Sequence, residues 1–80
     1  MFEKAEAGNP RHVAVPFAGF VHALVAGGDR VEPGQPLAVV EAMKMEASIT
    51  APTAGTVVRL VIAEPRQAEG GDLLLVLDRV

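Results

Sequence analysis

The chain repeats itself. Within its 80 residues, positions 16–40 match positions 52–76 at a constant offset of 36. Pro16, Ala18 and Gly19 align with Pro52, Ala54 and Gly55. Val21, Leu24 and Val25 align with Val57, Leu60 and Val61. Arg30, Gly34, Leu37 and Val40 align with Arg66, Gly70, Leu73 and Val76. These are ten identities in 25 pairs, where ordinary residue usage gives roughly two. Two copies are too few for a solenoid, whose units bury a continuous core only by stacking in a longer series. The repeat therefore predicts one domain made of two similar halves.

Each half reads as strand, Pro-x-Ala-Gly turn, strand, Gly-containing loop, strand. Strands are expected at 12–15, 20–25, 37–42, 45–51, 56–62 and 73–77, all rich in Val, Leu or Ile and bounded by Pro and Gly. Short extra strands are expected near 30–32 and 66–68. A helix over 42–49 is the competing reading, but it breaks the symmetric pattern, and Thr50-Ala51-Pro52 stops it at once. The fold class is thus all-β: a flattened β-sandwich or barrel of two small, mostly antiparallel sheets with a quasi-two-fold internal repeat. Residues 1–10 are polar and show no sustained period. They read as a flexible leader or linker remnant, which leaves 11–80 as the domain.

Composition narrows the function. Half the residues are hydrophobic, yet only three are aromatic, all of them Phe. That suits a compact small-residue core better than an aromatic ligand groove. The net charge of −3 offers no basic stripe for nucleic acid. No apolar run is long enough to cross a membrane as a helix. There is no cysteine, which removes disulfides and thiolate metal sites and agrees with a cytoplasmic location. His12 and His22 are too few and too far apart for a zinc site, and they read as ordinary surface residues. No catalytic dyad and no metal site is expected.

The junction of the halves is the informative place. One strand enters through Glu41-Ala42 and another leaves through Met45-Glu46, so a tight reversal must fall on Met43 and Lys44. Two-residue hairpin turns favour Asn-Gly or Gly-containing pairs, because their central residues need positive φ. Met-Lys breaks that local rule, and such breaks concentrate at functional sites. It also leaves Lys44 at an exposed tip.

The string Ala42-Met43-Lys44-Met45 resembles the attachment site of biotinyl (biotin carboxyl carrier) domains, and the resemblance runs from about His12 to Asp78. It implies biotin joined covalently to Lys44 by a biotin protein ligase. It also implies a tethered ring that carries carboxylate from an ATP- and bicarbonate-using biotin carboxylase to a carboxyltransferase. Tethering keeps the effective concentration high at both sites. Glu41, Ala42, Met43, Met45 and Glu46 are then candidates for attachment-motif and partner recognition. Lipoyl domains are similar in fold and also present a hairpin lysine, but usually within Asp-Lys-Ala. Met-Lys-Met points to biotin. An unmodified adaptor of the same fold is the reading from another class.

Within the family, four stretches are most similar to the C-terminal carrier domain of bacterial pyruvate carboxylase. They are His12-Val13-Ala14-Val15-Pro16-Phe17-Ala18-Gly19, Glu41-Ala42-Met43-Lys44-Met45-Glu46-Ala47, Ser48-Ile49-Thr50-Ala51 and Glu69-Gly70-Gly71-Asp72-Leu73-Leu74. Phe17 and Ala47 stand where many acyl-CoA carboxylase carriers have Met and His. The loop Glu64-Pro65-Arg66-Gln67-Ala68 lacks the Gly-Asp of Gly28-Asp29, an asymmetry that pyruvate carboxylases often share. The short 25–31 loop has no room for the thumb of bacterial acetyl-CoA carboxylase carriers. Pyruvate is the expected carboxyl acceptor, with propionyl-CoA, methylcrotonyl-CoA or another acyl-CoA as the alternative.

Overall fold

The apolar stretches form eight short strands, several of which alternate inward and outward side chains. A computed structural model describes residues 3–6 and 8–79. The strands are β1 (His12–Ala14), β2 (Gly19–Ala23), β3 (Arg30–Val31), β4 (Pro36–Ala42), β5 (Met45–Thr50), β6 (Gly55–Leu60), β7 (Arg66–Ala68) and β8 (Leu73–Arg79). Along β2, Gly19 and Val21 are buried while Phe20 and His22 are exposed, the pattern of a strand with one face on a core. In β4 the buried residues Leu37 and Ala38 are consecutive. A bulge between Pro36 and Ala38 lets both turn inward.

The strands form two four-stranded sheets, ordered β1-β8-β6-β3 and β5-β4-β2-β7. Every strand pairing is antiparallel. The 36-residue offset carries β2 onto β6, β3 onto β7, β4 onto β8, and β1 onto the second half of β5. Applied to the first sheet, it returns the strand order of the second. Each sheet thus takes two strands from each half of the chain, so neither half is a separate unit. Between them lies a core of Val, Leu, Ile and Ala that includes Val21, Val40, Val57 and Leu77, each fully buried. Fully burying one such side chain contributes roughly 1.5–3 kcal/mol.

The symmetry is broken in one place by the chain itself. The β4–β5 hairpin has the β8–β1 pair as its counterpart, and no turn joins those two strands. The turn at Met43-Lys44 therefore has no equivalent in the other half.

Part of the leader lies against the domain. Leu73 N–H donates to Glu3 O and Ala5 N–H to Gly71 O, each at 2.8 Å. Lys4 bridges to Asp72 in the backbone and pairs with its carboxylate, and Arg59 pairs with Glu3. Asp72 explains the docking. Its side chain is only 1% exposed, and a buried carboxylate needs charged or N–H partners. Lys4 and the Glu69 N–H, at 2.9 Å, supply them. Met1, Phe2 and Ala7 of the leader lie outside the described residues.

Candidate functional site

The β4–β5 ladder runs through Val40↔Ala47, Glu41↔Glu46 and Ala42↔Met45. That register leaves two residues, Met43 and Lys44, to reverse the chain. Met43 has φ +48°, and it is the one non-glycine residue of the described chain with positive φ. The expectation was positive φ at both central residues. The turn instead has it at the first alone, the φ pattern of a type II′ hairpin, in which glycine is the usual first residue. A methionine held there is locally strained, at a cost of about 1–2 kcal/mol.

The hairpin is braced from below. Gly19 opens β2 where it passes under the root of β4. A Cβ at Gly19 would lie 2.7 Å from Glu41 O and 2.9 Å from Val40 Cγ2, closer than packed atoms tolerate. Absence of a side chain lets β2 approach, and Val21 then seats against the core opposite Val40. The turn is thus presented by a rigid, two-layer base.

At the tip every side chain faces water. Met43 is 102% exposed and Met45 60%, so neither fills the core. Lys44 is exposed and makes no side-chain hydrogen bond or ion pair among the described residues. Glu41 and Glu46 are exposed and sit directly opposite each other, an arrangement that is unfavourable for like charges. Neither has an ion-pair partner among the described residues. All the expected site residues, Glu41, Ala42, Met43, Lys44, Met45 and Glu46, are therefore gathered on one hairpin. Nothing at this tip encloses a small molecule or brings an acid and a base together. What it offers is a solvent-exposed primary amine with no partner among the described residues.

Two features escaped the sequence. Phe20 is paired with Glu41 across the β2–β4 ladder and is 49% exposed. Its repeat counterpart is Thr56, and that mismatch was the available signal. His12 is tied into the leader, with Nδ1 accepting the Glu6 N–H at 3.0 Å.

The family model described as "Biotin-requiring enzyme" matches residues 11–77. The chain belongs to this biotin-requiring family. It is a carrier domain, and its cofactor is covalently held biotin. Relatives include the mouse mitochondrial pyruvate carboxylase, 44% identical over 54 residues, and the Bacillus subtilis pyruvate carboxylase, 36% identical over 77. These alignments cover 68% and 95% of this chain, but only 5% and 7% of the relatives. A solved single-chain, multi-domain long-chain acyl-CoA carboxylase superposes with a TM-score of 0.81 at 31% identity, over 98% of this chain and 8% of that one. The exposed amine of Lys44 fits an amide-linked cofactor: no side chain among the described residues competes for it, and the tip is open to solvent.

Proposed function

We propose that Lys44 is the residue that bears biotin, and that the domain moves carboxylate between two active sites of a biotin-dependent carboxylase. One observation carries this reading. In a biotin-requiring chain, a lysine without a partner among the described residues stands on the one turn that the internal symmetry does not repeat. As the amide forms, Nζ gives up a proton to the modifying ligase. The amide abolishes the charge of Lys44 and lengthens its side chain into a flexible arm. The bound biotin supplies a ring nitrogen that accepts and releases carboxylate. The β-sandwich keeps the root of that arm fixed, and the two-residue turn holds it away from the domain's own surface.

Pyruvate is the proposed acceptor, with biotin carboxylase and carboxyltransferase as partner domains or subunits, in the cytoplasm. The pyruvate carboxylase relatives, aligned over most of this chain, favour it. The acyl-CoA carboxylase structure favours the second reading, an acyl-CoA acceptor. The attachment is tested by incubating the chain with biotin protein ligase, biotin and ATP. Intact mass should rise by one biotin, and peptide mapping should place it on Lys44. Biotin on Lys4, or none, overturns the assignment. The acceptor is tested by adding the loaded domain to carrier-deleted pyruvate carboxylase and to carrier-deleted propionyl-CoA carboxylase. Pyruvate carboxylation should be restored more fully, and the reverse order moves the domain to the acyl-CoA group.

A further inference from the structure

Acyl transfer to a lysine uses the lone pair of the amine. A bond forms from Nζ to the acyl carbon, the donor's leaving group departs with its electron pair, and the Nζ proton passes to solvent or a base. An ammonium has no lone pair to give, so whatever holds the proton on Nζ withdraws that lysine from the reaction. The chain has two lysines, Lys4 and Lys44, and the fold surrounds them differently.

Lys4 is held in place by the backbone on either side of it. The bonds from Leu73 N–H to Glu3 O and from Ala5 N–H to Gly71 O set Lys4 opposite Asp72 in an antiparallel bridge. Its Nζ pairs with Asp72 Oδ1 and lies 3.5 Å from Glu69 Oε2. Asp72 Oδ2 accepts the Glu69 N–H at 2.9 Å, so the ammonium of Lys4 answers the remaining oxygen of a carboxylate that is 1% exposed. The Lys4 side chain itself is 57% exposed. A reagent can reach it; what it lacks is a free lone pair. Deprotonating Nζ, or turning it into an amide, deprives the buried carboxylate of that ammonium, which is costly. Lys44 is exposed too, but has no ion pair among the described residues. The repeat supplies an internal control. The offset of 36 carries Asp72 onto Pro36, which opens β4 without any charge. The sandwich therefore does not itself require an acid at this place.

We propose that Asp72 determines which lysine is acylated: by pairing with Lys4 it withdraws that amine and leaves Lys44 as the reactive lysine of the chain. The discrimination then starts in the carrier's own fold, before any enzyme chooses between the two. It has a second effect. An acyl group on Lys4 removes the charge that answers Asp72, so it loosens the leader that bears it. The value of this selectivity to a carrier rests on Lys44 being the attachment residue; the difference in reactivity does not.

The probe is the N-hydroxysuccinimide ester of acetic acid, a small activated acyl donor that needs no ligase. The 80-residue chain is treated near neutral pH, and the rate at each lysine is read by peptide mass spectrometry, with fragment spectra separating Lys4 from the α-amine. In the folded wild type, Lys4 should react at least about tenfold more slowly than Lys44. In the same chain denatured in guanidinium, the two rates should agree within about threefold, since both are then ordinary solvated lysines. Asp72→Asn keeps an oxygen for the Glu69 N–H and removes the charge. It should speed Lys4 at least about tenfold and leave Lys44 within about twofold. Asp78→Asn discharges the exposed partner of Arg11 and should move neither rate by more than about twofold. Equal rates in the folded wild type overturn the proposal, and so does a folded Asp72→Asn chain whose Lys4 stays slow. If Asp72→Asn does not fold by circular dichroism, the folded-against-denatured ratio of the wild type decides alone. None of these outcomes touches the assignment of Lys44, which fails separately if ligase, biotin and ATP leave it unmodified.

Discussion

The β4–β5 end and the β8–β1 end occupy equivalent places in a two-fold fold, yet they are treated oppositely. At the β8–β1 end, Arg11 donates to Leu77 O at 3.1 Å and reaches Asp78 at 3.5 Å. At the β4–β5 end, Lys44, Glu41 and Glu46 have no such partners among the described residues, and Met43 is held at φ +48°. Same backbone, different bookkeeping: one end is closed upon itself and the other is left open. The contrast teaches that the architecture alone does not require the open end. The open end is also where the proposed attachment residue, Lys44, stands.

The largest expected effect comes from Lys44→Arg. Biotin incorporation should fall to zero, because a guanidinium does not form the amide, while the melting temperature stays within about 4 °C, as surface changes usually leave stability within about 0.5 kcal/mol. A marked loss of stability in a thermal scan makes Lys44 structural and erases the contrast between the two ends. Next in size is Val40→Asp, just below the open end. Val40 is fully buried against Val21 and the core, and an unpaired buried carboxylate costs several kcal/mol. A domain of this size has roughly 4–12 kcal/mol of total stability, so the variant should be largely unfolded by circular dichroism at 37 °C. A cooperative transition at the wild-type temperature rules out the register of β4.

A smaller, pH-dependent effect separates paired charges from unpaired ones. The hydrogen bond from the Glu69 N–H, followed by that from Lys4, holds the Asp72 carboxyl below its usual range. The bond to Asp72 in turn raises the Lys4 ammonium above its own. The depressed carboxyl stabilises the fold fully above its ordinary value of about 3.9, and that contribution is lost as pH falls through the folded value. The raised ammonium contributes fully below about 10.4, and is lost as pH climbs through its folded value. The clasp is therefore intact from roughly pH 4 to 10. Lys4→Met should lower the melting temperature at pH 7, and the deficit should shrink as the pH is taken down through the titration of Asp72. An unchanged deficit across that range assigns the loss to the lysine's packing.

The sequence made the sandwich legible because repetition doubles every signal. Six strands lie where the Val, Leu and Ile runs and their Pro and Gly boundaries place them, with ends moved by a residue or two: β5 stops at Thr50 and β8 continues to Arg79; β3 and β7 fall at the short extra strands expected near 30–32 and 66–68. The hairpin at Met43-Lys44 was legible for the same reason, as the one junction without a copy. Three things were hidden. The docking of Lys4 depends on a carboxylate buried by tertiary packing, which no local pattern in residues 1–10 encodes. The outward position of Phe20 contradicts its hydrophobicity and emerges only from its register with Glu41. Leu24 and Leu60 are identical in the repeat, yet Leu24 is 52% exposed and Leu60 is partly buried, because a bulge between Val57 and Arg59 shifts β6 alone.

Met43→Gly gives the smallest effect and the sharpest reading of the open end. The side chain of Met43 is wholly in solvent, so its removal costs no packing in the free domain. Glycine relieves about 1–2 kcal/mol of left-handed backbone strain and gives back about 0.5–1 kcal/mol through a more flexible unfolded chain. The balance is a gain of about 0.5 kcal/mol, or roughly 2–4 °C in melting temperature. If the strained methionine is retained for contact with other proteins, the same variant should be biotinylated more slowly even as it becomes more stable. Opposite signs in the thermal scan and the biotinylation assay mark the turn as built for a partner. A variant that is less stable and equally well biotinylated shows instead that Met43 serves the hairpin itself, and the two ends of the molecule then differ less than their charges suggest.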